Sequence, residues 1–161
     1  MSAAPTLAFL FRHPAHFIAL GFGAGLSPWA PGTLGTVLAI PLALGLRRYA
    51  GDIEYAVVLV ALFGIGVWAS QLAGRELGRP DHGGIVIDEV VAFLLVLFFT
   101  GITPERIAVA FALFRFFDIV KPPPIRQLDA RMKNGLGVML DDLLAAGFTL
   151  LVFAVGQRML G

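Results

Sequence analysis

Apolar residues in this chain fall in long blocks rather than in alternation. The blocks run roughly over Thr36–Leu46, Tyr55–Leu72, Ile85–Thr100, Ile107–Val120 and Val138–Val155. A helix needs about 20 mainly apolar residues to cross a bilayer, with a lower limit near 17. Tyr55–Leu72, Ile85–Thr100 with its flanks, and Val138–Val155 are therefore the comfortable spans. The blocks Thr36–Leu46 and Ile107–Val120 are short, and call for tilt, local thinning of the bilayer or shielding by protein. None has the period-2 pattern of a barrel strand, and backbone groups in hydrocarbon must be paired internally, so the blocks are read as helices. The predicted fold is all-α: a polytopic membrane helical bundle of about four to five apolar helices plus short interfacial helices. One domain covers residues 1–161, and Leu7–Leu20, with Phe9, Phe11 and Phe17, predicts an interfacial or capping helix.

Composition strengthens this picture. Hydrophobic residues make up 58% of the chain and charged ones 14%, against about 25% charged in soluble domains. A net charge of +1 lacks the basic excess that nucleic-acid binding requires. With no cysteine, disulfides and thiolate metal sites are excluded, while the redox compartment stays open. The first basic residue is Arg12, and His13, Pro14 and His16 interrupt the apolar run there. A secretory signal has a basic start and an unbroken apolar core, so the segment is read as retained. With five spans and a cytoplasmic N-terminus, the inner connections hold Arg12, Arg75, Arg79, Lys121, Arg126, Arg131 and Lys133, and the outer ones Arg47, Arg48, Arg106 and Arg158. That asymmetry favours the N-inside orientation.

The acidic residues change the question from fold to chemistry. Of eleven, five lie inside apolar blocks: Asp88, Glu89, Asp118, Asp141 and Asp142. Each costs about 2.5–3.5 kcal/mol at the centre of a membrane helix and asks for compensation. At about 1.5 Å per residue, Asp88 and Glu89 lie about 6–8 Å beyond Gly84, Asp118 about 5 Å before Lys121, and Asp141 and Asp142 about 9–11 Å beyond Gly135. All three ends are cytoplasmic in the predicted topology, so three segments bring carboxylates to one shallow depth. Such a cluster of hard oxygens suits Mg²⁺ or Mn²⁺. Asp88, Glu89, Asp141 and Asp142 are the candidate metal ligands. Adjacent acids point about 100° apart on a helix, so one of each pair faces the ion; Asp88 and Asp141 are the first choices. The competing explanation is that these acids pair with buried cations, as Arg115 and Asp118 would at i, i+3. Arg115 alone among them leaves negative charge in excess.

Three further stretches bear on the site. "SPWAPGTLGT", Ser27–Thr36, places Thr33, Gly35 and Thr36 at a helix start where anions are favoured; it lacks the spacing of a nucleotide P-loop, and a plain N-cap accounts for it equally well. "FRFFDIVKPPPIRQLDARMKNGLGVMLDD", Phe114–Asp142, predicts helix, proline break, and a short helix from near Pro124 that sets Arg126, Asp129 and Lys133 on one face. It reads as a basic clamp for phosphate or as an ordinary interfacial charge belt. His82 in "PDHGG" precedes Asp88 and is a candidate acid or base, although a lone loop histidine is most often a solvated bystander.

Taken together, "SPWAPGTLGT", "DHGGIVIDEVV", "FDIVKPPPIRQLD" and "NGLGVMLDDLLAAG" resemble the motifs of the phosphatidylglycerophosphatase A family over about Gly21–Gly147. Ala92 and Asn134 stand where the family pattern commonly has glycine; neither removes a candidate ligand. The resemblance implies a multi-pass enzyme of the bacterial inner membrane that uses Mg²⁺ to hydrolyse phosphatidylglycerophosphate to phosphatidylglycerol and phosphate. The acid cluster, at head-group depth on the cytoplasmic side, fits metal-activated attack of water on phosphorus. Arg115, Lys121 and Arg126, with the Gly32–Thr36 turn, would meet the phosphate. Asp118 is the residue to test for covalent attack, with a ligand or orienting role expected instead. No protein partner is indicated.

The main alternative is a small cation- or proton-coupled transporter using intramembrane carboxylates, which predicts acids spread through the membrane depth. A histidine-nucleophile phosphatase needs two histidines near the acids, and only His82 is close in sequence. The Asp-x-x-Asp-Gly run of head-group phosphotransferases is not found.

Overall fold

Proline and caps decide where the helices begin. The computed structural model describes residues 4–161; residues 1–3 of the expected domain lie outside the described residues. Pro14, Pro31 and Pro104 each occupy a first helical turn, where the missing N–H costs nothing. Thr6 and Asn134 cap their helices by accepting from the amides of Phe9 and Gly137 at 3.2 and 2.8 Å. The helices are α1 (Leu7–Arg12), α2 (Pro14–Ala19), α3 (Pro31–Tyr49), α4 (Asp52–Glu76), α5 (Ile87–Thr100), α6 (Pro104–Val120), α7 (Ile125–Arg131) and α8 (Gly135–Leu160), with a 3₁₀ segment at Gly21–Leu26. The all-α expectation holds.

α5 is the axis around which the rest is arranged: α3, α4, α6 and α8 all pack against it. Nearly every α5 side chain is buried. Phe93 lies between Phe111 and Phe114, with ring centroids 5.8 and 5.6 Å away. Tyr55 of α4 donates its hydroxyl to the Leu94 carbonyl at 3.0 Å. This explains a departure from the expected spans. The Ile85–Thr100 block forms a helix of 14 residues, about 21 Å long, short of the ~30 Å hydrocarbon core. It is hydrophobic on all sides because other helices surround it.

Among the described residues two helices, α4 and α8, are long and apolar enough to cross a membrane. Only 28% of the apolar window of α4 is buried, and Ile53, Val57 and Val60 form an exposed stripe along it. Leu151, Val152 and Val155 do the same on α8. Near the start of α5 the backbone draws tight. The Val86 amide donates to the Ala19 carbonyl at 2.8 Å, and a side chain at Gly25 would strike the Gly84 carbonyl. These contacts bring the N-terminal helices and the Gly78–Val86 loop onto the end of the bundle where α5 begins.

Phe93→Ala should cost about 3–5 kcal/mol by opening a cavity beside Phe111 and Phe114. Thermal unfolding in detergent checks this: a clear fall in midpoint is expected for Phe93→Ala and little change for Val57→Ala.

Candidate active site

The acids from the three predicted segments do converge. α5 contributes Asp88 and Glu89 from its first turn, where the helix dipole favours negative charge. α8 contributes Asp142, and oxygens of Asp88, Glu89 and Asp142 all lie within 4.8 Å of one another. Asp88 and Asp142 are only 6% and 2% exposed. Asp88 Oδ1, Glu89 Oε2 and Asp142 Oδ2 are buried and have no hydrogen-bond partner among the described residues. An unsatisfied buried carboxylate oxygen is costly, and three in one place are an incomplete arrangement.

Two cations border the cluster. Arg115 Nη1 lies 2.5 Å from Asp118 Oδ2, 3.8 Å from Glu89 Oε1 and 3.5 Å from Thr36 Oγ1. Lys121 Nζ donates to Asp141 Oδ2 at 2.6 Å and lies 3.7 Å from Asp129. Burial alone would lower the Lys121 pKa, but the hydrogen bond and charge of Asp141, with Asp129 and Asp81 nearby, hold it above its ordinary value. The ammonium therefore stays charged. Against five carboxylates the inner site has these two cations, so the acids outnumber the groups that could neutralise them.

Backbone strain marks the same region. Ala30, just before α3, and Lys121, just after α6, are non-glycine residues with φ of 42° and 46°. Such left-handed conformations cost about 1–3 kcal/mol and concentrate at functional sites.

The other expected residues are placed as follows. Asp141, a first choice as ligand, instead bonds Lys121 through Oδ2 and accepts the Asp142 amide on Oδ1 at 3.0 Å. Asp118 is engaged by Arg115. Thr36 is fully buried, donates to the Gly32 carbonyl at 2.9 Å and also meets Arg115, and a side chain at Gly35 would strike Val86 where α3 packs on the start of α5. Thr33 is half-buried in the first turn of α3. Arg126 is exposed on α7, which ends at Arg131, so Lys133 lies beyond it and meets Asp129 at 3.3 Å. The single helical face expected for Arg126, Asp129 and Lys133 is thus broken. His82 Nδ1 accepts the Gly84 amide at 3.0 Å, shaping the loop before α5.

Asp141 and Asp142 both lie on the buried side of α8 with Val138, Ala145 and Thr149, so helical spacing does not choose between them. Gly32, expected as part of a phosphate-binding turn, stands where a side chain would run into the Glu89 carboxylate.

Three carboxylate oxygens that lack donors suit a hard divalent cation. Mg²⁺ bonds oxygen at about 2.0–2.1 Å, which sets ligand oxygens about 3–4 Å apart, and one oxygen from each of Asp88, Glu89 and Asp142 lies within 4.8 Å of the others. The residues present fit such an ion.

The fold and this end of the bundle define an all-helical protein with apolar outer helices and an interior acidic site. The family model described as PgpA, phosphatidylglycerophosphatase A, matches residues 17–157. The chain belongs to the phosphatidylglycerophosphatase A family and is an enzyme of the phosphatase class. It is 41% identical over 150 residues to phosphatidylglycerophosphatase A of Haemophilus influenzae, covering 92% of each chain. The Escherichia coli protein of the same name is 36% identical over 134 residues, covering 83% of this chain and 77% of its own. A Bacteroides thetaiotaomicron protein provisionally named a phosphatidylinositol-3-phosphatase is 36% identical over 154 residues, covering 89% and 94%. No solved structure matches the chain.

Arg115→Met should destabilise the protein by about 3–5 kcal/mol, since it leaves Asp118 and Glu89 partly buried without their cation. The thermal midpoint measured in EDTA checks this, and a midpoint equal to the parent's would contradict it.

Proposed function

We propose that the chain hydrolyses phosphatidylglycerophosphate to phosphatidylglycerol and phosphate with Mg²⁺, at the cytoplasmic face of the bacterial inner membrane. The observation that carries the reading is the meeting of the Asp88, Glu89 and Asp142 carboxylates, each with a buried oxygen that has no hydrogen-bond partner among the described residues, at one end of an apolar bundle. The names of the relatives supply the substrate. The multi-pass membrane placement rests on the apolar outer faces of α4 and α8, and the cytoplasmic face on the basic residues at the acid-bearing end.

Asp88, Glu89 and Asp142 would hold the ion, which when bound supplies Lewis acidity toward a phosphoryl oxygen and lowers the pKa of water. Arg115, fixed by Asp118, places a positive charge beside Glu89 for the incoming phosphate. Lys121, oriented by Asp141, offers a second cation for charge developing on the phosphoryl oxygens. With Asp118 committed to Arg115, water is the better nucleophile. The acids lie near helix ends, within reach of a head group whose acyl chains stay along the apolar exterior. A transporter relay is disfavoured, since α4 has no acid between Tyr55 and Gly74 and α8 has none beyond Asp142.

Phosphate release from phosphatidylglycerophosphate in detergent tests this reading. EDTA should abolish release and Mg²⁺ restore it. Asp88→Asn and Asp142→Asn should each lower the rate on the order of 10²-fold or more, with a smaller loss for Asp141→Asn. Full activity in EDTA, or in either of the first two variants at limiting Mg²⁺, would contradict it.

A further inference from the structure

We propose that Gly32 is a positioning residue: its missing side chain is the space in which the Glu89 carboxylate is held, and this sets where Glu89 presents its free oxygen to a divalent cation. The proposal rests on the metal reading above. A Cβ built on Gly32 would overlap Glu89 Oε1 and lie 3.1 Å from its Cδ and 3.4 Å from Arg115 Nη1. Glu89 is thus confined between the first turn of α3 and the Arg115 guanidinium, while Oε2 has no partner.

The α3 side of this contact cannot easily yield. Pro31 occupies the preceding position in the helix, the left-handed Ala30 fixes the entry, and the buried Thr36 hydroxyl is tied to the Gly32 carbonyl. The Glu89 side can yield, because a carboxylate is the far end of a flexible side chain. A methyl at residue 32 is therefore accommodated by displacing Glu89 rather than by unfolding. Gly35 differs: its neighbour is Val86, side chain and backbone, which is ordinary packing. Gly32 also alters the expected part played by this turn. The start of α3 faces a carboxylate of the protein itself, so it orients the ion's ligand rather than binding phosphate.

The test is Mn²⁺ binding to detergent-purified protein by electron paramagnetic resonance, with thermal midpoints in EDTA. Gly32→Ala should leave the EDTA midpoint within a few degrees of the parent and weaken Mn²⁺ binding at least tenfold. Glu89→Asp withdraws the carboxylate from residue 32, so in that background Gly32→Ala should weaken binding less than twofold. Unchanged Mn²⁺ affinity in Gly32→Ala overturns the proposal, as does an equal loss in both backgrounds. Absence of Mn²⁺ binding by the parent protein overturns the metal reading beneath it.

Discussion

A surplus of carboxylates over cations inside an apolar bundle is the constraint on which the rest of this structure turns. Five carboxylates share one end of the molecule with Arg115 and Lys121, and three of their oxygens have no donor. Proteins do not leave such groups bare without a counter-charge or proton. A hard divalent cation satisfies several oxygens at once and matches the needs of phosphate-ester hydrolysis, in which charge gathers on the phosphoryl oxygens.

Much of the fold can be understood as the means of bringing those charges together. α5 is encased, so its first-turn acids sit in a dry interior, yet close to a helix end that a lipid head group can approach. α3 reaches the cluster with a glycine where any side chain would intrude on Glu89. α6 ends by presenting Arg115 and Asp118, then reverses at the left-handed Lys121. α8 brings Asp142 inward and leaves Asp141 to hold Lys121. α5, α6 and α8 therefore supply the acids and the cation that orients one, and α3 leaves the space that one of them fills.

The helical class, the apolar blocks and the convergence of acids at one depth are legible in the chain, because they depend on block length and on distance along a helix. The phosphatidylglycerophosphatase A motifs are legible too, and the family match agrees with them. Finer matters depend on rotation and contact. Asp141 and Asp142 are neighbours in sequence and both buried, and only the bond from Lys121 to Asp141 tells them apart. Ile85–Thr100 looks like a span because burial by other helices and burial by lipid select the same residues. Gly35 lets α3 dock against Val86, and no local pattern announces that docking.

The most direct measurement is an anomalous-difference map from crystals of the protein loaded with Mn²⁺. A strong peak bounded by Asp88, Glu89 and Asp142 is predicted. A map with no peak there, or with its peak at Asp129 and Asp141, would contradict the central claim that a divalent cation resolves the buried charge.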